Sequence, residues 1–134
     1  AEGLAVLPLL PKDLPITLTA AYDTRQAVLA AAQQARYIAP YYGRLMESGQ
    51  DADAIVDAML AVCRGKSRVL VASLRSAEQV VALAVRGHDT FTLSPQVFEA
   101  FMDVPQTQAA TAEFEAAASM LEKAAGDKAG FFKS

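Results

Sequence analysis

The sequence predicts an α/β fold built on a small parallel sheet, and three observations carry that expectation. Extended apolar runs alternate with helix-forming runs four times along the chain. The extended runs are short and lack a clean apolar–polar alternation, the pattern of parallel strands buried on both faces. Each is followed by residues that open or cap a helix. Such alternation packs helices on a parallel sheet through right-handed connections.

A short helix over Glu2 to Leu10 comes first. The first strand is Pro15 to Tyr22, PITLTAAY. Thr and Ile favour extended backbone there, and Pro15 sits at the entry, where no ladder donor is lost. Asp23 caps a helix through Leu29 to Ala35, with Gln26 at the reciprocal capping-box position. The second strand is Arg36 to Tyr41. Residues 51–63 place Ile55, Val56, Met59, Leu60 and Cys63 on one helical face. The third strand is Arg68 to Ser73, and Ser76 with Gln79 forms a second capping box, for a helix that stops near Gly87. The fourth strand is Asp89 to Leu93. Ser94 caps the next helix with Pro95 at its first position. A last helix runs from about Thr107 to Ala125, with Phe114, Met120 and Leu121 on its apolar face, and Phe131 and Phe132 follow in a polar tail. The pattern is α(βα)4 plus a C-terminal helix. It fits a flavodoxin-like open sheet, or half of an eight-stranded barrel whose bare edges must pair with something.

At 134 residues, the chain has the length of one domain, 1–134. A content of 53% hydrophobic and 20% charged residues excludes disorder as its general state. A net charge of -3 exerts no long-range pull on nucleic acid. No apolar run approaches the roughly 20 residues that span a bilayer. The start, Ala1-Glu2-Gly3-Leu4, lacks the basic residues of a secretory signal, and Cys63 has no second cysteine to pair with. A cytoplasmic protein is expected, with neither nucleic acid nor membrane as partner. No His or Cys cluster has metal-ligand spacing, and no glycine fingerprint for phosphates or dinucleotides occurs.

Function in parallel α/β proteins sits at the carboxyl ends of strands. Those ends carry Thr19 and Tyr22, then Tyr41, Tyr42 and Arg44, then Ser73 and Arg75, then Ser94. The opposite ends carry Lys12, Arg36, Lys66, Arg68 and His88. Two arginines among hydroxyls and phenols, without a carboxylate cluster, suit an anionic hydroxylated ligand such as a sugar phosphate. Arginine grips phosphate in a bidentate fork, and a serine near a helix start adds its hydroxyl and nearby amides. Each residue also has a structural alternative: solvated arginines, half-buried phenol rings, serines as helix caps.

Three motifs extend the reading. Thr17-Leu18-Thr19-Ala20-Ala21-Tyr22, Tyr37-Ile38-Ala39-Pro40-Tyr41-Tyr42-Gly43-Arg44 and Val71-Ala72-Ser73-Leu74-Arg75 closely resemble consecutive strand motifs of the transaldolase family. The likeness is nearest to its small fructose-6-phosphate aldolase-like members and extends from Glu2 to about Phe114. It implies a (β/α)8 barrel in which a lysine forms a Schiff base with the dihydroxyacetone unit of a keto-sugar, with no metal or organic cofactor. By the same resemblance Thr19 helps hold the catalytic water, Tyr41 supports acid/base chemistry, and Ala39 leaves room in the pocket. Arg44 and Ser73 correspond to the phosphate-binding pair, with Arg75 assisting. The family's lysine lies on the fourth strand, before a helix that begins much like Ala1-Glu2-Gly3-Leu4. The four strands here then correspond to strands five to eight, a (βα)4 half-barrel, and the lysine falls outside residues 1–134. Lys12 and Lys66 precede strands, and Lys123, Lys128 and Lys133 lie on the last helix and tail. The expected partners are a sugar phosphate and either the missing N-terminal half-barrel or a second copy of the chain, in a homo-oligomer. The alternative is a non-catalytic sugar-phosphate-binding or assembly module.

Overall fold

Three strands pair in parallel in the order β1-β2-β3 in the computed structural model. The structure describes residues 6, 9–11 and 13–131, with side chains as far as residue 123. Most of the helix expected over Glu2 to Leu10, together with Lys12, Phe132 and the side chains of Lys128 and Phe131, lies outside that description. The elements in order are β1 (Thr17–Ala21), α1 (Thr24–Ala32), β2 (Tyr37–Pro40), α2 (Tyr42–Glu47), α3 (Ala52–Cys63), β3 (Arg68–Val69), α4 (Ala77–Val85), α5 (Pro95–Met102) and α6 (Pro105–Phe131). The α/β class with a small parallel sheet is as expected. The chain divides into two compact units, Ala1–Ala100 and Phe101–Ser134.

The strands are shorter than the sequence suggested. The third keeps Arg68–Val69 and continues as single bridges, Tyr41 with Ala72 and Val71 with Phe91. The fourth, expected over Asp89 to Leu93, is reduced to that bridge at Phe91. Burial also differs between strands. In β2, Ile38, Ala39 and Pro40 are all buried, whereas Thr17 and Thr19 of β1 are exposed. Thr17 and Thr19 share one face of β1, which none of the described residues covers, so the expectation of burial on both faces holds for β2 and fails for β1.

Local chemistry sets the helix ends. Asp23 and Gln26 form the reciprocal capping box of α1. That helix stops at Ala32, short of Ala35, because Gln34 turns left-handed (φ 54°). Gln34 and Ala35 then donate back to Ala31 and Ala30, closing the end. Ser76 caps α4, but Gln79 reaches past it to accept from the amide of Arg75 at 2.7 Å. Ser94 accepts from Val97 at the start of α5, as its Ser-Pro signature predicts.

Ile38 and Val71 of the sheet meet Leu45, Val56, Met59 and Leu83 of the covering helices, all completely buried. Each such side chain contributes about 1.5–3 kcal/mol through burial. Cys63 belongs to this core, which pushes its thiol pKa up by desolvation. On the helical flank Asp57 receives Arg86 and the Nε2 of buried His88, the latter at 3.2 Å. A carboxylate only accepts, so Nε2 is the donor in that contact, and Nδ1 is buried without a partner among the described residues. Within the second unit the apolar residues of α6, Phe114, Met120 and Leu121, are exposed. Among the described residues no helix is long and apolar enough to cross a membrane.

Candidate functional site

Pro40 shapes the site. A proline in an inner strand cannot donate to its neighbour, and the register of β1 against β2 shifts at that point. Thr19 pairs with Ala39, Ala21 pairs with Pro40, and Ala20 between them is left-handed at φ 58°. This is a β-bulge, a device that re-aims side chains beside it. Just beyond it the Thr19 hydroxyl donates to the Tyr41 hydroxyl at 3.1 Å.

Arg44 and Tyr22 complete that group. The guanidinium of Arg44 lies over the Tyr41 ring, 5.0 Å from its centroid, a cation–π placement. Its Nη1 reaches the Tyr22 hydroxyl at 3.5 Å. The rings of Tyr22 and Tyr41 meet edge-to-face at 5.9 Å. Four of the strand-end residues named from sequence therefore stand together: Thr19, Tyr22, Tyr41 and Arg44. Ala39 is buried two residues before Tyr41, where its small side chain occupies little space.

Ser73 and Arg75 form a second group. They line a cleft of about 390 Å³ with Thr92, Ser94 and Gln96. Ser73 is left-handed at φ 63°, and its carbonyl accepts from the amide of Gly43 at 3.1 Å. Arg75 donates to Glu47 at 3.0 Å. The chain from Tyr42 to Gly43 links the two groups, because Tyr42 also donates to Ala72 at 2.9 Å.

Tyr42 leaves the site. It is buried, and its hydroxyl donates to Asp53 on α3 at 2.9 Å. Burial first, and that bond second, push its pKa up to about 12, so it stays a neutral phenol. Sequence reasoning did not register α2, reading its residues as the loop after a strand. The sole local signal is Gly43 directly after two tyrosines. The Gly43–Ser73 approach and the Arg75–Glu47 pair were also invisible, since both depend on how α2 meets the 72–75 backbone.

The arrangement can grip an anion with arginines and hydroxyls and can relay a proton through the Thr19–Tyr41 hydroxyl pair. In the first unit, Lys66 is the lysine with a described side chain, and it lies at the amino ends of the strands beside Arg36 and Arg68. No cluster of three or more His, Cys, Asp or Glu suited to a metal occurs among the described residues.

A family model described as Transaldolase/Fructose-6-phosphate aldolase matches residues 2–130. A probable transaldolase of Nitrosopumilus maritimus is 33% identical over 112 residues, covering 80% of this chain and 50% of the relative. The chain thus spans about half the length of that curated relative.

Proposed function

This chain belongs to the transaldolase/fructose-6-phosphate aldolase family, and from that premise we propose that residues 1–134 supply strands five to eight of a (β/α)8 barrel that cleaves or transfers a dihydroxyacetone unit of sugar phosphates. The supporting observation is the grouping of Thr19, Tyr41 and Arg44, with Ser73 tied to the same chain segment through Gly43.

In this reading Arg44 and Ser73 hold the phosphate, and Arg75 adds positive charge beside them. The hydroxyls of Thr19 and Tyr41 hold a water that takes and returns the proton of the substrate hydroxyl when the carbon–carbon bond breaks or forms. The Schiff base with lysine is the electron sink for that step. In this reading the lysine lies outside residues 1–134, and Lys66 stands at the amino ends of the strands, away from Arg44 and Ser73. The unpaired edges of β1 and of the 89–93 segment are what the N-terminal half-barrel, or a second copy in a homo-oligomer, would cover. The lack of a lysine among the residues of this group equally supports the alternative, a module that binds sugar phosphate without turning it over.

Calorimetric titration with inorganic phosphate tests the binding common to both readings. Saturable binding is expected, weaker by roughly thirtyfold in Arg44→Ala, the loss of charge-assisted hydrogen bonds worth about 2 kcal/mol. Equal affinity in the two proteins would remove Arg44 from the site.

A further inference from the structure

The geometry assigns Gly43 as a positioning residue that sets Ser73 and Arg75 relative to Arg44, an inference that rests on the sugar-phosphate reading above. Gly43 lies in the first turn of α2, immediately before Arg44. A Cβ at this position would stand 2.2 Å from the Ser73 carbonyl oxygen and 3.0 Å from Nε of Arg75. The first contact is with backbone, so no side-chain rotation relieves it.

The surroundings leave little room to yield. The Gly43 amide donates to that same carbonyl at 3.1 Å, and Tyr42 donates to Ala72 beside it. Ser73 is already left-handed, a conformation that an L residue holds only when its surroundings impose it. Arg75 is fixed at both ends: its amide donates to Gln79 at 2.7 Å and its guanidinium to Glu47 at 3.0 Å. Glu47 lies four residues after Gly43, on the same face of α2. Arg75 thus crosses the bare backbone of Gly43 to reach its carboxylate. A side chain at 43 would drive Ser73 and Arg75 away from α2, and therefore away from Arg44.

Gly65 supplies the matched control. It has φ +73° with nothing within 4 Å of an added Cβ, so Gly65→Ala introduces backbone strain remote from Ser73. The 134-residue chain, Gly43→Ala and Gly65→Ala are titrated with inorganic phosphate, with thermal midpoints measured alongside. The expected result is an affinity at least about tenfold weaker in Gly43→Ala and unchanged in Gly65→Ala, although the latter melts lower. Wild-type affinity in Gly43→Ala would overturn the assignment and leave the sugar-phosphate reading standing. An equal loss in Gly65→Ala would overturn it as general destabilisation. No binding by the wild-type chain would bring down the sugar-phosphate reading, and this assignment with it. If Gly43→Ala does not fold, amide exchange in the wild-type chain decides. Phosphate is expected to slow exchange at Gly43 by at least about fivefold, and binding without any slowing there would overturn the assignment.

Discussion

At the amino end of the sheet, Arg36, Lys66 and Arg68 line a cleft of about 310 Å³; at the carboxyl end, Arg44 and Arg75 stand among hydroxyls and phenols. The cations are partnered alike at the two ends: Arg68 pairs with exposed Asp89 at 3.2 Å and Arg36 lies over the ring of Tyr37, as Arg75 pairs with exposed Glu47 at 3.0 Å and Arg44 lies over the ring of Tyr41. The backbones differ more than the charges do. Near the amino end the left-handed residues Gln34, Gly65 and Gly87 lie in the turns that follow α1, α3 and α4, where chain reversal calls for that conformation. Near the carboxyl end, Ala20 and Ser73 are left-handed beside strands, with no helix to close. An L residue so placed costs about 1–2 kcal/mol. Strain that local structure does not require concentrates at functional sites. Positive charge alone therefore does not mark the site here; charge coinciding with a bulge, a forced serine and a close glycine contact does.

The largest expected effect is the contrast between Arg44→Ala and Lys66→Ala. The first loses phosphate affinity by roughly thirtyfold, while the second changes it by less than about twofold. Comparable losses in titration would make the two ends equivalent as anion sites. Ser73→Ala comes next, with affinity falling about fivefold for one lost hydroxyl and little change in urea stability, since alanine keeps the same backbone cost.

Ala20→Gly isolates the strain itself. Release of the left-handed cost outweighs the added freedom of the unfolded chain, so urea unfolding should show a gain of about 0.5 kcal/mol. A loss would mean that the bulge is unstrained. The helical flank offers the smallest effect. The Arg86 guanidinium, with His88 as the second donor, holds the Asp57 carboxyl below its ordinary range against the opposing effect of burial. Its folded-state pKa is lowered, so its contribution is present above the unfolded value near about 3.9 and fades as pH falls through the folded one. Asp57→Asn should flatten the fall in thermal midpoint on acidification below about pH 4, and by little, because the carboxylate is partly exposed. Parallel profiles for the two proteins would remove Asp57 from the acid response.

Features written in local sequence were legible before the structure. Asp23 with Gln26 announces the start of α1, and Ser94-Pro95 that of α5. Thr19, Tyr41 and Arg44 were named by their place after strands, and they meet. Features set by tertiary contact were not legible. Gln79 completes the expected box by sequence, yet it bonds Arg75 because the 73–76 backbone turns toward it. Tyr42 reads like Tyr41, but one position along α2 sends it to Asp53 instead. The 89–93 segment has the composition of a strand and keeps a single bridge, because pairing depends on neighbours that composition does not specify.

Borohydride trapping with fructose 6-phosphate reads which polypeptide carries the catalytic amine. The chain is mixed with a polypeptide carrying the half of the Nitrosopumilus maritimus relative that it does not match, and each polypeptide is read by intact mass. A ketol adduct is expected on the added half, with an unchanged mass for residues 1–134. A borohydride-dependent adduct on residues 1–134 would place the catalytic amine within this chain and overturn its assignment as the half without the lysine.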